Sequence, residues 1–189
     1  MDLRQAVEQA IQILKDGGVI IYPTDTVWGL GCDATNEKAV EKIYKIKQRT
    51  EQTVFITIAK DIDMVCRFAK DVPEIAEQLI EVNDKPLTII YQKGINLAKN
   101  VLSPKGEIAM RVVDHPFCNL LLKRFNKPIV STSARIKGDK DPIYLEDISE
   151  EIISQADWCT PESLDQDSTG IPSSIVYIGQ GGVVKIIRD

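Results

Sequence analysis

The sequence is poor in the residues that most often carry metal and redox chemistry. It holds one histidine, His115, and four cysteines, Cys32, Cys66, Cys118 and Cys159, spaced so widely that no Cys-x-x-Cys pair occurs. That excludes the usual zinc-site spacings and leaves no disulfide framework. The thiols are expected to be reduced, metal-free and mostly buried, as in a cytoplasmic protein. No apolar run approaches the roughly 20 residues of a membrane span, and the N-terminus lacks a signal peptide's apolar core. The net charge of −5 has the wrong sign for indiscriminate attraction to nucleic acid, although a local basic groove stays open. No repeat, linker or low-complexity stretch divides the chain.

What remains is the composition of a soluble globular protein, 43% apolar and 27% charged over 189 residues. That length suits one domain, residues 1–189, with a sizeable core. Leu3, Ala6, Val7, Ala10, Ile11 and Leu14 recur at helical spacing, so the pattern predicts a helix over residues 2–15, stopped by Gly17 and Gly18. The apolar run Val19–Tyr22 reads as a strand buried on both faces and ended by Pro23. Thr35 or Asn36 caps a second helix with Ala39, Val40, Ile43, Tyr44 and Ile46 inside. A strand at 54–58, short helices after Asp61 and Pro73, and strands at 86–91 and 107–113 follow. After them come a helix carrying Phe117 to Phe125 and a strand running into Ser131-Thr132-Ser133. Residues 145–156 read as an acidic helix, 160–170 as a surface loop, and 173–187 as a terminal hairpin. Alternating helices and strands predict a largely parallel, covered sheet, made mixed by the hairpin.

Three places concentrate polar chemistry. The first is the stretch after Pro23, where Thr24, Asp25 and Thr26 precede Trp28, Gly29 and Gly31. Hydroxyls at the end of a buried strand are well-anchored donors and acceptors, and glycine lets backbone approach a ligand. The second is Lys47 and Arg49, cations placed directly before a strand and suited to phosphate oxygens. The third is Arg111, a charge inside an apolar strand, which residue chemistry alone leaves open between a structural salt bridge and a ligand contact. Ser131 to Ser133, Ser173 and Ser174 add hydroxyls at other strand ends. Hydroxyls and fixed cations, with no histidine base and no nucleophile–base pair, point to an anionic ligand and to catalysis by positioning and charge stabilisation.

The run Tyr22-Pro-Thr-Asp-Thr-Val-Trp-Gly-Leu-Gly-Cys-Asp-Ala34 resembles the signature of the YrdC/Sua5 family, the threonylcarbamoyl-AMP synthases. Lys47-Gln48-Arg49, Met110–Pro116, Ser131–Ala134, Pro172–Val176 and Ile186–Arg188 resemble further family elements in the family's order. The resemblance implies an α/β fold, a twisted open mixed sheet with helices packed on it and a concave ligand-binding face. It implies condensation of L-threonine, bicarbonate and ATP to threonylcarbamoyl-AMP and pyrophosphate, for modification of adenosine 37 in tRNA. Thr26, Arg111, Ser131 and Ser173 would hold threonine; Lys47, Arg49, Ser133 and Arg188 would hold ATP, with Lys47 and Arg49 offsetting phosphate charge. Magnesium would arrive on the phosphates, with no protein-bound metal, and tRNA or a threonylcarbamoyl transferase are implied as further partners. Thr50, Thr53, Ile58 and Arg135 depart from the family pattern. Those departures keep two other readings open: a non-catalytic relative that binds RNA or nucleotide, and a carbamoyl transferase component. At Arg135 the expectation is a guanidinium–phosphate contact, against pairing with a carboxylate such as Asp139.

Overall fold

The computed structural model describes residues 1–49, 54–166 and 168–189; Thr50 and Thr53 lie outside them. Helix α1 (Leu3–Lys15) starts at a capping box: Asp2 accepts from the Gln5 N–H, and the Gln5 side chain accepts from the Asp2 N–H. Its Ala6, Val7, Ala10 and Leu14 are buried. Strand β1 (Ile20–Tyr22) is buried at every residue, and β2 (Gly29–Gly31) returns antiparallel to it. Asn36, not Thr35, caps α2 (Glu37–Ile46) by accepting from the Lys38 and Ala39 N–H groups. Then follow β3 (Ile56–Ala59), α3 (Ile62–Phe68) capped by Asp61, α4 (Glu74–Val82) after Pro73, and β4 (Leu87–Tyr91).

Strand β5 (Ile108–Val112) leads to α5 (Pro116–Phe125), which places proline in its first turn and ends at Asn126 in the left-handed region. Strand β6 (Ile129–Ser133), the single turn α6 (Glu150–Ile153), β7 (Trp158–Cys159), β8 (Ser174–Ile178) and β9 (Val184–Arg188) complete the order. Helices α1 and α5 pack against each other, and α3 packs on β3 and β5.

The described strands form one sheet in the order β7-β1-β2-β6-β3-β5-β4-β8-β9. The sheet is mixed, as expected, but it is not largely parallel. Five pairings are antiparallel and three parallel. A helix between two strands makes them parallel neighbours only when they lie side by side. Here α2 joins β2 to β3, and α5 joins β5 to β6, and neither pair is adjacent. Strand β6 sits instead between β2 and β3, antiparallel to both.

Strands β2 and β7 were not expected, since Gly-Leu-Gly is depleted in strand formers and β7 is two residues long. Glycine at 31 answers a packing need. A Cβ there would collide with the Val130 carbonyl oxygen and lie 2.8 Å from the Tyr22 ring. The acidic helix expected over 145–156 shrinks to a 3-10 turn at Leu145–Asp147 followed by α6. All four thiols are free; Cys32 and Cys118 are buried and Cys159 half-buried, but Cys66 is exposed, so burial of the thiols is less general than expected. No helix among the described residues is long and apolar enough to cross a membrane.

Candidate active site

The turn after β1 is built from its own hydroxyls. The Thr24 hydroxyl donates to the Val27 carbonyl (2.8 Å), accepts from the Thr26 N–H (3.1 Å) and lies 2.9 Å from the Thr26 hydroxyl. A second segment straps the turn in place. The Thr169 N–H donates to the Asp25 carbonyl (3.0 Å), the Gly170 N–H to the Thr26 carbonyl (2.8 Å), and the Ser168 hydroxyl to the same Thr26 oxygen. Trp28 is fully buried, and its indole N–H donates to Asp165 (2.8 Å). The stretch read as a surface loop thus fixes the ligand turn from outside.

Of the two readings open for Arg111, the structural salt bridge is present. Its guanidinium forms an ion pair with Asp25, lies 3.4 Å from the Thr26 hydroxyl, and still lines a cavity of about 280 Å³. The second Asp25 oxygen accepts from the Asp114 N–H (3.4 Å). Thr26, Ser131 and Ser173 line the same cavity, as do Arg49, Ser133 and Arg188. Strand alternation explains the serines: residues 131 and 133 point to one side of β6, paired with Ile56 of β3 and Gly29 of β2. The Ser173 hydroxyl bonds Thr88 (2.7 Å), and the Arg188 guanidinium donates to the Ser173 carbonyl at 2.6 and 3.1 Å. Beside Ser131, burial pushes the Tyr22 phenol well above its ordinary value, so it stays protonated, and its hydroxyl donates to the Val130 carbonyl (3.4 Å).

Lys47 stands apart from the other expected site residues. It is 3% exposed and is not among the described residues that line the cavity. Its ammonium donates to the Ser133 carbonyl (2.6 Å) and to the Arg135 carbonyl, tying the end of β6 to the end of α2. Burial, then the charges of Arg49 and Arg135, push its pKa down to about 7. The Arg49 guanidinium stacks over the Phe55 ring at 5.3 Å and its pKa is lowered by burial. Arg135 lines the cavity, but its Nε donates to Asp141 (2.7 Å), not to Asp139. Ile58 is fully buried and is not among the described cavity-lining residues.

Sequence reasoning missed two members. Asp25 was seen as part of a ligand turn and not as the partner of Arg111; the signal was that a buried arginine requires an anion. Asp141 had no signal beyond the same demand from Arg135. Among the described residues no group of three or more His, Cys, Asp or Glu side chains could hold a metal ion.

A mixed α/β sheet with cations and hydroxyls gathered in one cavity defines a class of protein that binds small anionic ligands. The chain belongs to the Sua5/YciO/YrdC family: that family's model, described as "Telomere recombination", matches residues 12–189. The threonylcarbamoyl-AMP synthase of Vibrio vulnificus (strain YJ016) is 34% identical over 152 residues, 79% of this chain and 82% of the relative. That of Pseudoalteromonas translucida (strain TAC 125) is 30% identical over 188 residues, 98% of this chain and 100% of the relative. The crystal structure of P. abyssi Sua5 complexed with L-threonine matches with a TM-score of 0.89 at 23% identity, covering 100% of this chain and 54% of that chain. This chain therefore spans about half the length of that protein, and the likeness is one of fold.

Proposed function

We propose that the chain, as one domain over residues 1–189, is an L-threonylcarbamoyladenylate synthase acting in tRNA modification. The observation that carries this is the buried Arg111 guanidinium, held among Thr26, Ser131 and Ser173 in the cavity that also presents Arg49, Ser133 and Arg188. Two relatives at 30–34% identity carry the name of that enzyme. Threonine would place its carboxylate on Arg111, a charge-assisted contact, and its hydroxyl and amine among the side-chain hydroxyls. Its amine attacks bicarbonate, water leaves, and a carbamate forms. The carbamate oxygen attacks the α-phosphorus of ATP, and pyrophosphate departs.

Among the described residues that line the cavity there is no histidine, cysteine or lysine, so rate enhancement would come from orientation and from cations facing the phosphates. Arg49, Ser133 and Arg188 would hold ATP directly. Lys47, bonded to the carbonyls of Ser133 and Arg135, would act by fixing the phosphate-facing end of β6. Magnesium would come with the nucleotide, and the product would pass to a transferase that modifies tRNA in the cytoplasm. The pairing of Arg135 with Asp141 favours one second reading, a relative that binds ligand without making the adenylate.

Pyrophosphate release decides between them. Release that requires threonine, bicarbonate and ATP together, and that falls at least a hundredfold in Arg111→Met, is the expected result. Ligand binding without such release would establish the second reading.

A further inference from the structure

Arg135 already has an anion. Its Nε donates to Asp141 at 2.7 Å, and Ser133 lines the cavity with both. Both residues line the cavity beside Arg49. A guanidinium on a carboxylate, with a serine hydroxyl at hand, forms the donor set that binds a phosphate group. The pair is also placed to exchange. Its side chains are 32% and 27% exposed, six residues apart in sequence, with Lys137 to Lys140 fully at the surface between them. Gly138 turns that loop at φ +104°, a conformation open to glycine at little cost. The loop is anchored directly after Asp141, where the Pro142 carbonyl accepts from the Trp28 N–H (3.0 Å), a backbone contact that does not involve the Asp141 side chain.

We infer that Asp141 competes with the phosphate chain of the nucleotide for Arg135 and Ser133, and that the strength of this internal pair sets nucleotide affinity. An entering polyphosphate either displaces Asp141 or meets its negative charge at contact range. Asp141 is thus an affinity-determining residue and Arg135 the cation it withholds. The inference rests on the reading of the cavity as an ATP site.

Titration calorimetry with Mg·ATP, pyrophosphate and adenosine tests it on wild type, Asp141→Asn, Arg135→Gln and the double variant. Asp141→Asn is expected to tighten Mg·ATP and pyrophosphate about tenfold at low salt, with the gain shrinking as ionic strength rises. Adenosine, which has no phosphate, should bind both proteins equally. In the Arg135→Gln background the same substitution should gain less than about threefold, since nothing is left to compete for. Asp141→Ser serves as a second uncharged variant, with thermal melting confirming that each protein is folded. Unchanged or weaker phosphate binding in folded Asp141→Asn and Asp141→Ser overturns the inference, as does an equal gain with and without Arg135. Absence of Mg·ATP and pyrophosphate binding in all variants overturns the ATP reading itself, whereas wild-type binding with no gain overturns this inference alone.

Discussion

Replacing Asp25 by Asn separates the support that Arg111 gives the fold from its proposed recognition of a carboxylate. The ion pair is deeply placed, with side chains 4% and 12% exposed for Arg111 and Asp25. Removing one partner of such a pair leaves a charge buried without compensation, which costs about 3–5 kcal/mol. The lower end applies here, because Arg111 also borders the cavity, where water reaches it, and because Asn retains an acceptor oxygen. A loss of about 3 kcal/mol in a chain of this size lowers Tm by roughly 6–12 °C.

Ligand binding should move the other way. In Asp25→Asn the carboxylate of threonine becomes the main counter-charge of Arg111, so threonine binds at least as tightly as to wild type. Saturation at about 100 times Kd adds about 2.7 kcal/mol of stability, and each tenfold gain in affinity adds about 1.4 more. The thermal shift produced by threonine should therefore be larger in Asp25→Asn than in wild type, and absent in Arg111→Met. Scanning calorimetry of the three proteins with and without threonine is the assay. A threonine shift that vanishes in Asp25→Asn would show that Asp25 touches the ligand itself, and a shift retained by Arg111→Met would remove Arg111 from the threonine site.

Two further outcomes follow from buried groups. Folding carries Lys47 from its ordinary pKa of 10.5 down to about 7, so between those values the unfolded chain binds more protons and stability rises with pH. Urea unfolding of wild type and Lys47→Met should show the difference shifting in favour of wild type by about 2 kcal/mol between pH 7 and about pH 9; a flat difference refutes the shifted lysine. Alkylation of the native protein, read by intact mass, should label Cys66 slowly, because its thiol is exposed but raised in pKa by partial burial and by Asp63 and Glu77. Cys32 and Cys118 should react only after unfolding, and labelling of either in the native state contradicts their burial.

The lining of the cavity was largely legible because it lies in contiguous motifs. Thr26, Arg111, Ser131, Ser133, Ser173 and Arg188 all reach one cavity, Thr26 from the turn between β1 and β2 and the others from a strand or a strand end. Pairing across the fold was not legible. Arg111 and Asp25 stand 86 positions apart, and no periodicity links a strand residue to a turn residue at that distance. Asp139 and Asp141 were indistinguishable as partners for Arg135 until the loop's path was known. Strand β2 was hidden for a related reason. Its glycines lower local strand propensity, yet Gly31 is there because the Val130 carbonyl and the Tyr22 ring leave no space for a side chain. Sequence order likewise predicted parallel neighbours that β6, inserted between β2 and β3, keeps apart.

These pairings change how the site's charge is to be understood. A motif reading counts Arg111, Arg135, Lys47 and Arg188 as cations awaiting anions. In the fold each is already engaged, with Asp25, with Asp141, with the Ser133 and Arg135 carbonyls, and with the Ser173 carbonyl. The engagements differ in burial. Arg111 is held by a pair at 4% and 12% exposure on a central strand and a strapped turn, so its position is fixed before any ligand arrives. Arg135 is held by a pair at about one-third exposure on a surface loop, where the attraction is weakened by solvent and exchange costs little. On the proposed assignment, the threonine half of the cavity would be preorganised and the nucleotide half adjustable. In such a site a substitution near Arg111 changes stability and threonine affinity together, whereas one in the 135–141 loop changes nucleotide affinity with little effect on the fold.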